Sequence, residues 1–583
     1  MSSYQLDWQQ LLPKISQHSL LFQQADSINH IPFIDLQQRL ATTLQQFCRP
    51  QHPAKLLLVK GPEDRRYLSL LAEVAGRYQP PLEKILGYRY EIQGNQVIWH
   101  SATQSEDNFA ARSQCLAEDW VDEGRLFGSL CGYPSHYQLQ TGLVHQVNGG
   151  ILILPLQVLL EQPWLWMRLK QLLLSGSCHW YPTDSARLSP LCIPAIPIDL
   201  RLIVVGNSSN LVDFSVLEPH GELLAVYSEI EPEISFTSVE DITTWIGYVN
   251  WIINKNHLPS LLPEAWCQLL QAAIRQTEDH QRLPLCPFWL ANLLGESRLG
   301  PGVALTAQAI RDCMQMRRWR EDYLPELVQR DIHQGQVCIE TKGEAIGQLN
   351  GLSVVMYPGH TQAHGEPSRI SCVVHLGDGD ITDVERKTEL GGNIHAKGML
   401  IMQAYLISEL ALEIPFPFSA SLVFEQSYSE VDGDSASLAG LCALVSALAQ
   451  HPLSQQLAVT GAVDQFGRVQ AVGGVNEKIE GFFAICAQRG LTGEQGVILP
   501  APNVRQLCLS DAIVQAVREQ KFQLWAVDHV SDALPLLTGI PFKREKGCSL
   551  IGLINQRIDQ LSAQQGRQRL PVLLRWLTWF NQR

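Results

Sequence analysis

The chain contains 583 residues, of which 45% are apolar and 17% are charged, and this composition excludes a disordered chain because it supplies enough apolar material for packed cores. At ~150 residues per domain, the length predicts roughly two to four domains. The 58 acidic residues outnumber the 44 Lys and Arg residues and leave a formal charge of −14. Such a charge repels phosphate backbones and excludes a primary role in non-specific nucleic-acid binding.

No segment predicts membrane insertion, secretion or a metal cluster. The nearest approach to a membrane span, residues 151–160, stops at Glu161 and is too short to cross a bilayer. The N-terminus has neither the basic nor the apolar region of a secretory signal. The 14 cysteines are scattered without a Cys-x-x-Cys pair, which argues against zinc clusters and disulfide frameworks. We therefore expect a cytoplasmic protein with free thiols, no membrane contact and no metal.

The first half of the chain predicts an α/β module. Residues 1–50 are Gln-rich and compatible with helices, and they are treated as an N-terminal helical segment. The module itself is expected over residues 51–240, where buried strands are predicted at 56–59, 151–154 and 200–205. Apolar strands that alternate with helices are typical of a parallel sheet with both faces covered.

The second half predicts a helical subdomain and then another mixed unit. Residues 241–335 carry apolar residues at helical spacing. Residues 340–540 form the second unit, of α/β or α+β class, with strands predicted at 352–357, 370–375 and 420–424 and a helix at 398–412. Residues 541–583 are a C-terminal extension. Its apolar end, residues 570–580, predicts a helix that docks on its own chain or, as an alternative, contacts a membrane or a partner.

A turn rich in Asp and Gly precedes an apolar helix predicted from Leu438 to Ala449. Ser435 is placed at or near the start of this helix, where free N–H groups and the helix dipole favour developing negative charge. A nucleophilic hydroxyl at this position would have oxyanion donors close by. The alternative is that Ser435 or Ser437 only caps the helix.

A second candidate follows a predicted strand over residues 457–463. Asn476 is a plausible N-cap, and it places Lys478 in the first turn of a helix that ends near Gly490. A cation is electrostatically misplaced in a first turn. Lys478 is therefore either an ordinary solvated lysine or an amine kept neutral by burial and by the positive helix end, as a general base requires.

Three runs in this region carry a family resemblance: Asp-Gly-Asp-Ser-Ala-Ser at residues 432–437, Val-Thr-Gly at 459–461, and Gly-Gly-Val-Asn-Glu-Lys-Ile at 473–479. Together they resemble the proteolytic domain of the Lon protease family, and the residues in these runs are most similar to those of the archaeal-type, LonB-like branch. Further similar runs lie at 347–353, 395–398, 497–500 and 528–537. The resemblance covers about residues 340–540.

The resemblance implies a Ser–Lys dyad in which Ser435 attacks the peptide carbonyl and Lys478 takes the serine proton. It implies that Thr460 orients the lysine amine, although Thr460 could be an ordinary strand residue. Asp434 agrees with the archaeal-type branch, whereas the branch typical of bacteria has proline there. A carboxylate at Asp434 could hold the amine protonated. His395 is a second possible base, but the resemblance gives it no such role.

Lon-type chains couple proteolysis to a P-loop ATPase, and that motif is missing here. The expected Gly-x-x-x-x-Gly-Lys-Ser/Thr loop is replaced by residues 61–66, Gly-Pro-Glu-Asp-Arg-Arg. Leu154-Pro155 stands where the family has an acidic pair, whereas residues 204–207 resemble the sensor strand and keep a polar end. The sequence predicts a degenerate P-loop-like module that binds no nucleotide. Arg65, Arg66 or Arg201 could bind another anion.

The sequence as a whole predicts a cytoplasmic Lon-type serine endopeptidase that cleaves unfolded or loosely folded proteins without its own ATP-driven unfolding. No cofactor is expected, although ATP is possible by resemblance. Expected partners are protein or peptide substrates and further copies of the chain, in a hexameric ring that the resemblance implies. Two rival hypotheses remain: an ATP-dependent protease with an unusual nucleotide site, and a non-enzymatic scaffold or adaptor.

Overall fold

A computed structural model describes residues 4–79, 87–101, 109–110, 115–133, 136–180, 191–300, 302–377, 379–410, 418–427, 430–544 and 547–569. The chain forms two compact units, His30–Ile234 and the combination of Met1–Asn29 with Ser235–Arg583. The predicted mixed α/β and α+β class is confirmed. The predicted segment boundaries follow changes in residue composition, whereas the compact units are defined by packing. Helix Gln38–Phe47, which falls in the predicted N-terminal segment 1–50, therefore belongs to the unit His30–Ile234.

The unit His30–Ile234 is built on a five-stranded sheet. Its strands are β1 Leu56–Lys60, β2 Cys115–Ala117, β3 Ile151–Pro155, β4 Arg201–Gly206 and β5 Ala225–Glu229. They pair in parallel in the order β5-β1-β4-β3-β2. The parallel sheet predicted for this module is therefore confirmed.

Helices cover both faces of this sheet. They are α1 Gln38–Phe47, α2 Arg65–Tyr78, α3 Leu156–Glu161, α4 Pro163–Ser175 and α5 Ser208–Leu217. Side chains of β3 alternate between the two faces: Ile151 and Ile153 pack with α1 and α2, while Leu152 and Leu154 pack with α3 and α4. Burial on both faces explains why β3 is apolar throughout.

Short elements complete the unit. They are the helical turns Phe33–Leu36, Glu123–Phe127, Leu143–Gln146 and Gly221–Leu224, and the antiparallel pairs Tyr88–Gln93 with Gln96–Ser101, Ser129–Tyr133 with His136–Gln140, and Ser177–Cys178 with Ile196–Pro197. A further short strand, Glu233–Ser235, lies at the boundary of the two units in the sequence.

The helical segment of the second unit contains α6 Val239–Lys255, α7 Pro263–Thr277, α8 Pro287–Glu296, α9 Ala307–Glu321 and α10 Tyr323–His333. Local sequence sets several of these bounds. Ser238 caps α6 through the backbone N–H of Asp241, Pro263 and Pro287 begin α7 and α8, and Thr306 caps α9. The helices predicted within residues 266–275 and 306–320 are present, one to three residues longer at most ends.

A seven-stranded mixed sheet forms the centre of the remaining part. Its strands are β6 Gln348–Val355, β7 His364–Leu376, β8 Ile381–Asp383, β9 Phe418–Glu425, β10 Leu457–Val459, β11 Gly496–Pro500 and β12 Gln523–Val527, in the order β8-β9-β7-β6-β10-β11-β12. The β7 strand is antiparallel to both of its neighbours, and β6, β10, β11 and β12 run parallel to one another.

Six helices pack around this sheet: α11 Asn393–Leu410, α12 Ser437–Ala449, α13 Val475–Arg489, α14 Asp511–Arg518, α15 Val530–Thr538 and α16 Leu550–Arg569. Every residue of α12 is buried, which explains why its sequence is apolar apart from Ser437 and Ser446, whose hydroxyls are hydrogen-bonded. Smaller elements are the helical turns Trp8–Gln10, Ser16–His18, Ser19–Gln23, Ala25–Ser27, Val384–Lys387 and Ala501–Gln506, and the strands Arg282–Pro284, Glu344–Ala345, Leu453–Ser454, Ala462–Val463 and Val469–Gln470.

Two glycines allow α13 to lie directly against β7. A Cβ atom on Gly365 would stand 1.9 Å from the carbonyl oxygen of Glu477, and one on Gly481 would stand 2.0 Å from the carbonyl oxygen of Gly365. Any side chain at either position would push the helix away from the strand. The pair therefore sets the position of the first turns of α13, which contain Lys478.

The start of the C-terminal extension packs on the same unit. Leu550, Ile551, Ile554 and Ile558 of α16 are buried in the core that also contains α12. Arg557 donates to the carbonyl oxygens of Ala447 and Leu448 at the end of α12. The apolar stretch 570–580 lies outside the described residues, so its docking stays a prediction. Within the described chain, no helix combines the length and the apolar character that crossing a bilayer requires.

Candidate functional site

Ser435 lies in the turn that leads into α12 and does not cap that helix. The N-cap of α12 is Ala436, and no side chain makes a cap hydrogen bond there. The hydroxyl of Ser437 instead accepts a hydrogen bond from the backbone N–H of Val463. The capping interpretation of Ser435 and Ser437 is therefore wrong. Ser435 is half-buried, and its hydroxyl contacts the amine of Lys478.

The predicted strand 457–463 is interrupted beside Ser435. It divides into β10 and the short strand Ala462–Val463, with Thr460 and Gly461 between them. The backbone N–H of Gly461 donates to the carbonyl oxygen of Ser435 at 2.8 Å. The Thr460 hydroxyl lies 3.4 Å from the same oxygen. The interruption therefore anchors the backbone of the serine turn to the end of β10.

Lys478 reaches this turn from the first turn of α13. Its Nζ lies 3.0 Å from the Oγ of Ser435 and 3.2 Å from the Oγ1 of Thr460. Lys478 is only 3% exposed and Thr460 is fully buried. The solvated-lysine interpretation is wrong for this structure. Three residues that are far apart in sequence thus form one hydrogen-bonded group.

The expected N-cap role of Asn476 is wrong. The N-cap is Gly474, two residues earlier, in the left-handed conformation with φ of 63°, and the helix begins at Val475. Asn476 is buried, donates to the carbonyl oxygen of Gln506 and accepts from the backbone N–H of Cys508. Its side chain therefore fastens the start of α13 to the neighbouring loop.

Burial is the main influence on the charge of Lys478. Removal from water lowers the pKa of the amine to about 8, against the opposing effect of the carboxylates of Asp434, Glu278 and Glu477. About a quarter of an amine with that pKa is neutral at pH 7.5, compared with ~0.1% for a free lysine. A substantial fraction of Lys478 can therefore accept a proton near neutral pH.

A cluster of four charged groups, which we call the ionic cluster, supports the lysine helix: Arg275, Arg318, Glu477 and Glu480. Arg275 of α7 donates to Glu477 at 2.6 Å and to Glu480 at 3.0 Å, and Arg318 of α9 donates to Glu480 at 3.2 Å. Burial acts to raise the pKa of Glu480, but the two guanidinium groups outweigh it, and the pKa lies below its usual range. Sequence reasoning missed this cluster, since nothing near Arg275 or Arg318 points to residues some 200 positions away.

The other two candidates occupy different positions relative to the dyad. Asp434 is exposed on the turn that contains Ser435. A Cβ atom added to Gly398 of α11 would lie only 2.7 Å from the Cβ of Asp434, so the glycine allows this turn to approach α11 closely. His395 is buried in a separate cluster, where its Nε2 lies 3.0 Å from a carboxylate oxygen of Asp383. Among the described contacts, no hydrogen bond joins His395 to Ser435.

In the unit His30–Ile234, two carboxylates that follow β1 accept hydrogen bonds from helix N-termini. Glu63, which follows β1, accepts hydrogen bonds from the backbone N–H groups of Gln157 and Asn207, each at 2.9 Å. These donors lie at the starts of α3 and α5. Asp64 accepts from the N–H groups of Arg66 and Tyr67 at the start of α2. Helix N-termini bind anions, and here the anions are side chains of the chain itself.

Other residues considered for this module serve the fold. Leu154 and Pro155 are buried at the end of β3. Asn207 caps α5 through the N–H of Asn210. Arg201 is buried and donates to the carbonyl oxygens of Phe47 and Arg49, which commits its guanidinium to the backbone.

Comparison with known proteins agrees with this arrangement. A model of the LonB-like AAA domain matches residues 128–220, and a model of the Lon protease (S16) C-terminal proteolytic domain matches residues 428–538. The latter range contains Ser435, Thr460 and Lys478.

Two bacterial relatives extend the similarity over almost the whole chain. A Lon protease homolog of Escherichia coli is 48% identical over 583 residues, which is 100% of both chains, and one of Haemophilus influenzae is 42% identical over 570 residues, covering 95% of this chain and 93% of the relative. The archaeal Lon protease of Methanocaldococcus jannaschii is 25% identical over 427 residues, covering 66% of this chain and 62% of the relative. The chain therefore belongs to the Lon protease family and carries a Lon-type serine peptidase domain.

Proposed function

We propose that the chain is a serine endopeptidase in which Ser435 is the nucleophile and Lys478 the general base. The observation that carries this proposal is the 3.0 Å contact between the Lys478 Nζ and the Ser435 Oγ, made by a lysine whose burial lowers its pKa to about 8. A nucleophile and a base within hydrogen-bond reach, with the base held by a third group, form a catalytic arrangement. Thr460 is that third group.

In the first half of the reaction, the Ser435 oxygen attacks the peptide carbonyl carbon while its proton passes to the neutral amine of Lys478. The resulting tetrahedral oxyanion lies near the start of α12, where the helix dipole favours negative charge. The C–N bond then breaks, and the lysine ammonium gives its proton to the leaving amine. The products are an acyl-serine and a free peptide amine, with Lys478 neutral again.

In the second half, Lys478 takes a proton from a water molecule that attacks the acyl-serine. Collapse of this intermediate breaks the ester bond and returns the proton to the Ser435 oxygen. Thr460 acts as a positioning residue, because its hydroxyl lies 3.2 Å from the lysine Nζ. This contact keeps the lysine amine next to the Ser435 hydroxyl.

The proposed substrates are unfolded or loosely folded polypeptides. A folded protein must be opened before its backbone can enter a serine site, and the contacts of Glu63 and Asp64 support a module without a nucleotide-driven motor. We propose that no cofactor is needed, and that the active form is a cytoplasmic homo-oligomer, with a hexameric ring as the specific expectation. All 14 cysteines are free thiols, which suits a reducing compartment. Sedimentation analysis of the purified chain measures the oligomer.

We predict that Ser435→Ala reduces hydrolysis of a fluorogenic peptide by about 10⁴- to 10⁶-fold, because the covalent nucleophile is lost. Ser437→Ala is the matched control. It removes a neighbouring hydroxyl that accepts from Val463, so that it affects stability more than chemistry. Full activity of the Ser435 variant would favour the scaffold hypothesis or a different nucleophile.

We predict that activity rises with pH through an apparent pKa near 8, the value that burial gives Lys478. The sign follows because the neutral amine is the base, and it becomes the major form above that pKa. Lys478→Arg should be as inactive as Lys478→Ala, since a guanidinium stays protonated in this range. The pH–rate profile of kcat/KM checks the first point. Substantial activity of Lys478→Arg would assign the base to another residue, with His395 next to be tested.

We predict that Asp434→Asn lowers the apparent pKa of the pH–rate profile by up to about one unit. The Asp434 carboxylate favours the protonated amine, so its neutralisation frees more base at pH 7. Glu430→Gln is the matched control, because Glu430 is an exposed acid of the same turn. An unchanged or higher pKa in the Asp434 variant would contradict this electrostatic role.

We predict that Mg–ATP shows no saturable binding below about 1 mM, equivalent to roughly 4 kcal/mol, in calorimetry of the full chain. The reason is that Glu63 and Asp64 already accept the helix N–H groups that phosphates would use. Peptide hydrolysis should be equal with and without Mg–ATP. Micromolar affinity, or activity that requires ATP hydrolysis, would establish the rival ATP-dependent protease.

A further inference from the structure

Outside the dyad, two histidines and a glutamate converge on one point of the second unit. Glu321 is the last residue of α9, His360 lies in the loop between β6 and β7, and His364 begins β7. One ligand atom of each of the three lies within 4.8 Å of the others. We call this group the His–Glu cluster. His364 is buried, while Glu321 and His360 are half-buried, which leaves a route from solvent.

The spacing of the two imidazoles suits a shared cation. The Nδ1 of His360 lies 3.4 Å from the Nε2 of His364. Two nitrogens bound to one tetrahedral ion at 2.0–2.1 Å are separated by about 3.4 Å along the edge of the tetrahedron. A direct hydrogen bond between two imidazoles is ordinarily shorter, at roughly 2.9–3.0 Å. The observed separation therefore fits an ion between the rings better than a bond between them.

Hydrogen bonds hold Glu321 in place, and a carboxylate lies beside His364. The carboxylate of Glu321 accepts from the N–H of Thr361 at 2.9 Å, the hydroxyl of Thr361 at 2.7 Å and the N–H of Gln362 at 3.0 Å. A carboxylate oxygen of Asp322 lies 3.7 Å from the Nδ1 of His364, on the opposite side of the ring from the Nε2. A carboxylate behind a ligating histidine is a frequent feature of metal sites, because it orients the ring.

The charges around the cluster also suit a cation. Glu321 and Asp322 supply two carboxylates beside the imidazoles. The nearby hydroxyl of Tyr357 donates a hydrogen bond to Glu366 at 2.6 Å. The guanidinium of Arg318 acts electrostatically on His364 and Asp322, but it is paired with Glu480 at 3.2 Å, which reduces its effect on a cation. A divalent ion would therefore meet a site whose net charge before binding is negative.

We propose that the His–Glu cluster binds one divalent cation of the zinc class through His360 Nδ1, His364 Nε2 and a Glu321 carboxylate oxygen, with water as the fourth ligand. Two imidazoles and one carboxylate form a donor set that suits Zn²⁺. The site contains no cysteine, so the argument from cysteine spacing does not apply to it.

The ion would join the end of α9 to the beginning of β7. Gly365, the residue after His364, is in close contact with the backbone of Glu477, which directly precedes Lys478. The metal would therefore reinforce the packing of β7 against the lysine helix from a point outside the dyad.

The test uses the full chain, stripped with a chelator and titrated with Zn²⁺ alone in a calorimeter. Wild type should bind one equivalent saturably, and the ion should raise the melting temperature. His360→Ala should weaken binding by about 100-fold or more and abolish the thermal shift. Because His360 is only half-buried, this variant should fold, and Glu321→Gln provides a second, independent loss of a ligand.

The matched control is His333→Ala, which removes an exposed histidine of α10 outside the cluster and should retain wild-type binding. Absence of saturable Zn²⁺ binding by wild type would overturn the proposal. Unchanged binding by both His360→Ala and Glu321→Gln would also overturn it. Zn²⁺ binding and the melting temperature are measured without peptidase activity. The result of this test therefore does not depend on whether the proposed function is correct.

Discussion

Burial of the Lys478 amine within hydrogen-bond distance of Ser435 is the interaction on which the proteolytic site depends. A buried ammonium is costly in free energy, and here that cost is expressed as a pKa of about 8. The polar partners of the amine are limited to the hydroxyls of Ser435 and Thr460 among the described contacts. The same burial that destabilises the charged form thus leaves part of the amine neutral next to the Ser435 hydroxyl, as the proposed mechanism requires.

Holding the amine there requires α13 to be placed accurately from several sides. Gly365 and Gly481 allow the helix to touch β7, and Asn476 ties its start to the following loop. The ionic cluster attaches the helix to α7 and α9 through Arg275 and Arg318. Removal of Arg275 would leave the buried carboxylate of Glu480 with only the exposed Arg318 as its partner, which is unfavourable. The helical segment therefore contributes to the site without contacting the nucleophile.

The unit His30–Ile234 combines a parallel α/β architecture with carboxylates at its helix N-termini. The parallel sheet and its covering helices are retained because their strands are buried on both faces. Glu63 and Asp64 satisfy helix N–H groups that would otherwise need water or a bound anion. An internal carboxylate therefore stabilises the fold at these positions.

Sequence alone determined the local features: the apolar strands of the parallel sheet, the helices predicted at 266–275 and 306–320, and the motif runs that contain Ser435, Thr460 and Lys478. These follow from periodicity, capping chemistry and short motifs, which act over a few residues. The tertiary structure decided whether Ser435 caps a helix, whether Lys478 is solvated, and which residues surround them. Arg275 and the His–Glu cluster were not predictable, because their partners come together only when distant helices and strands pack, and no local pattern encodes that packing.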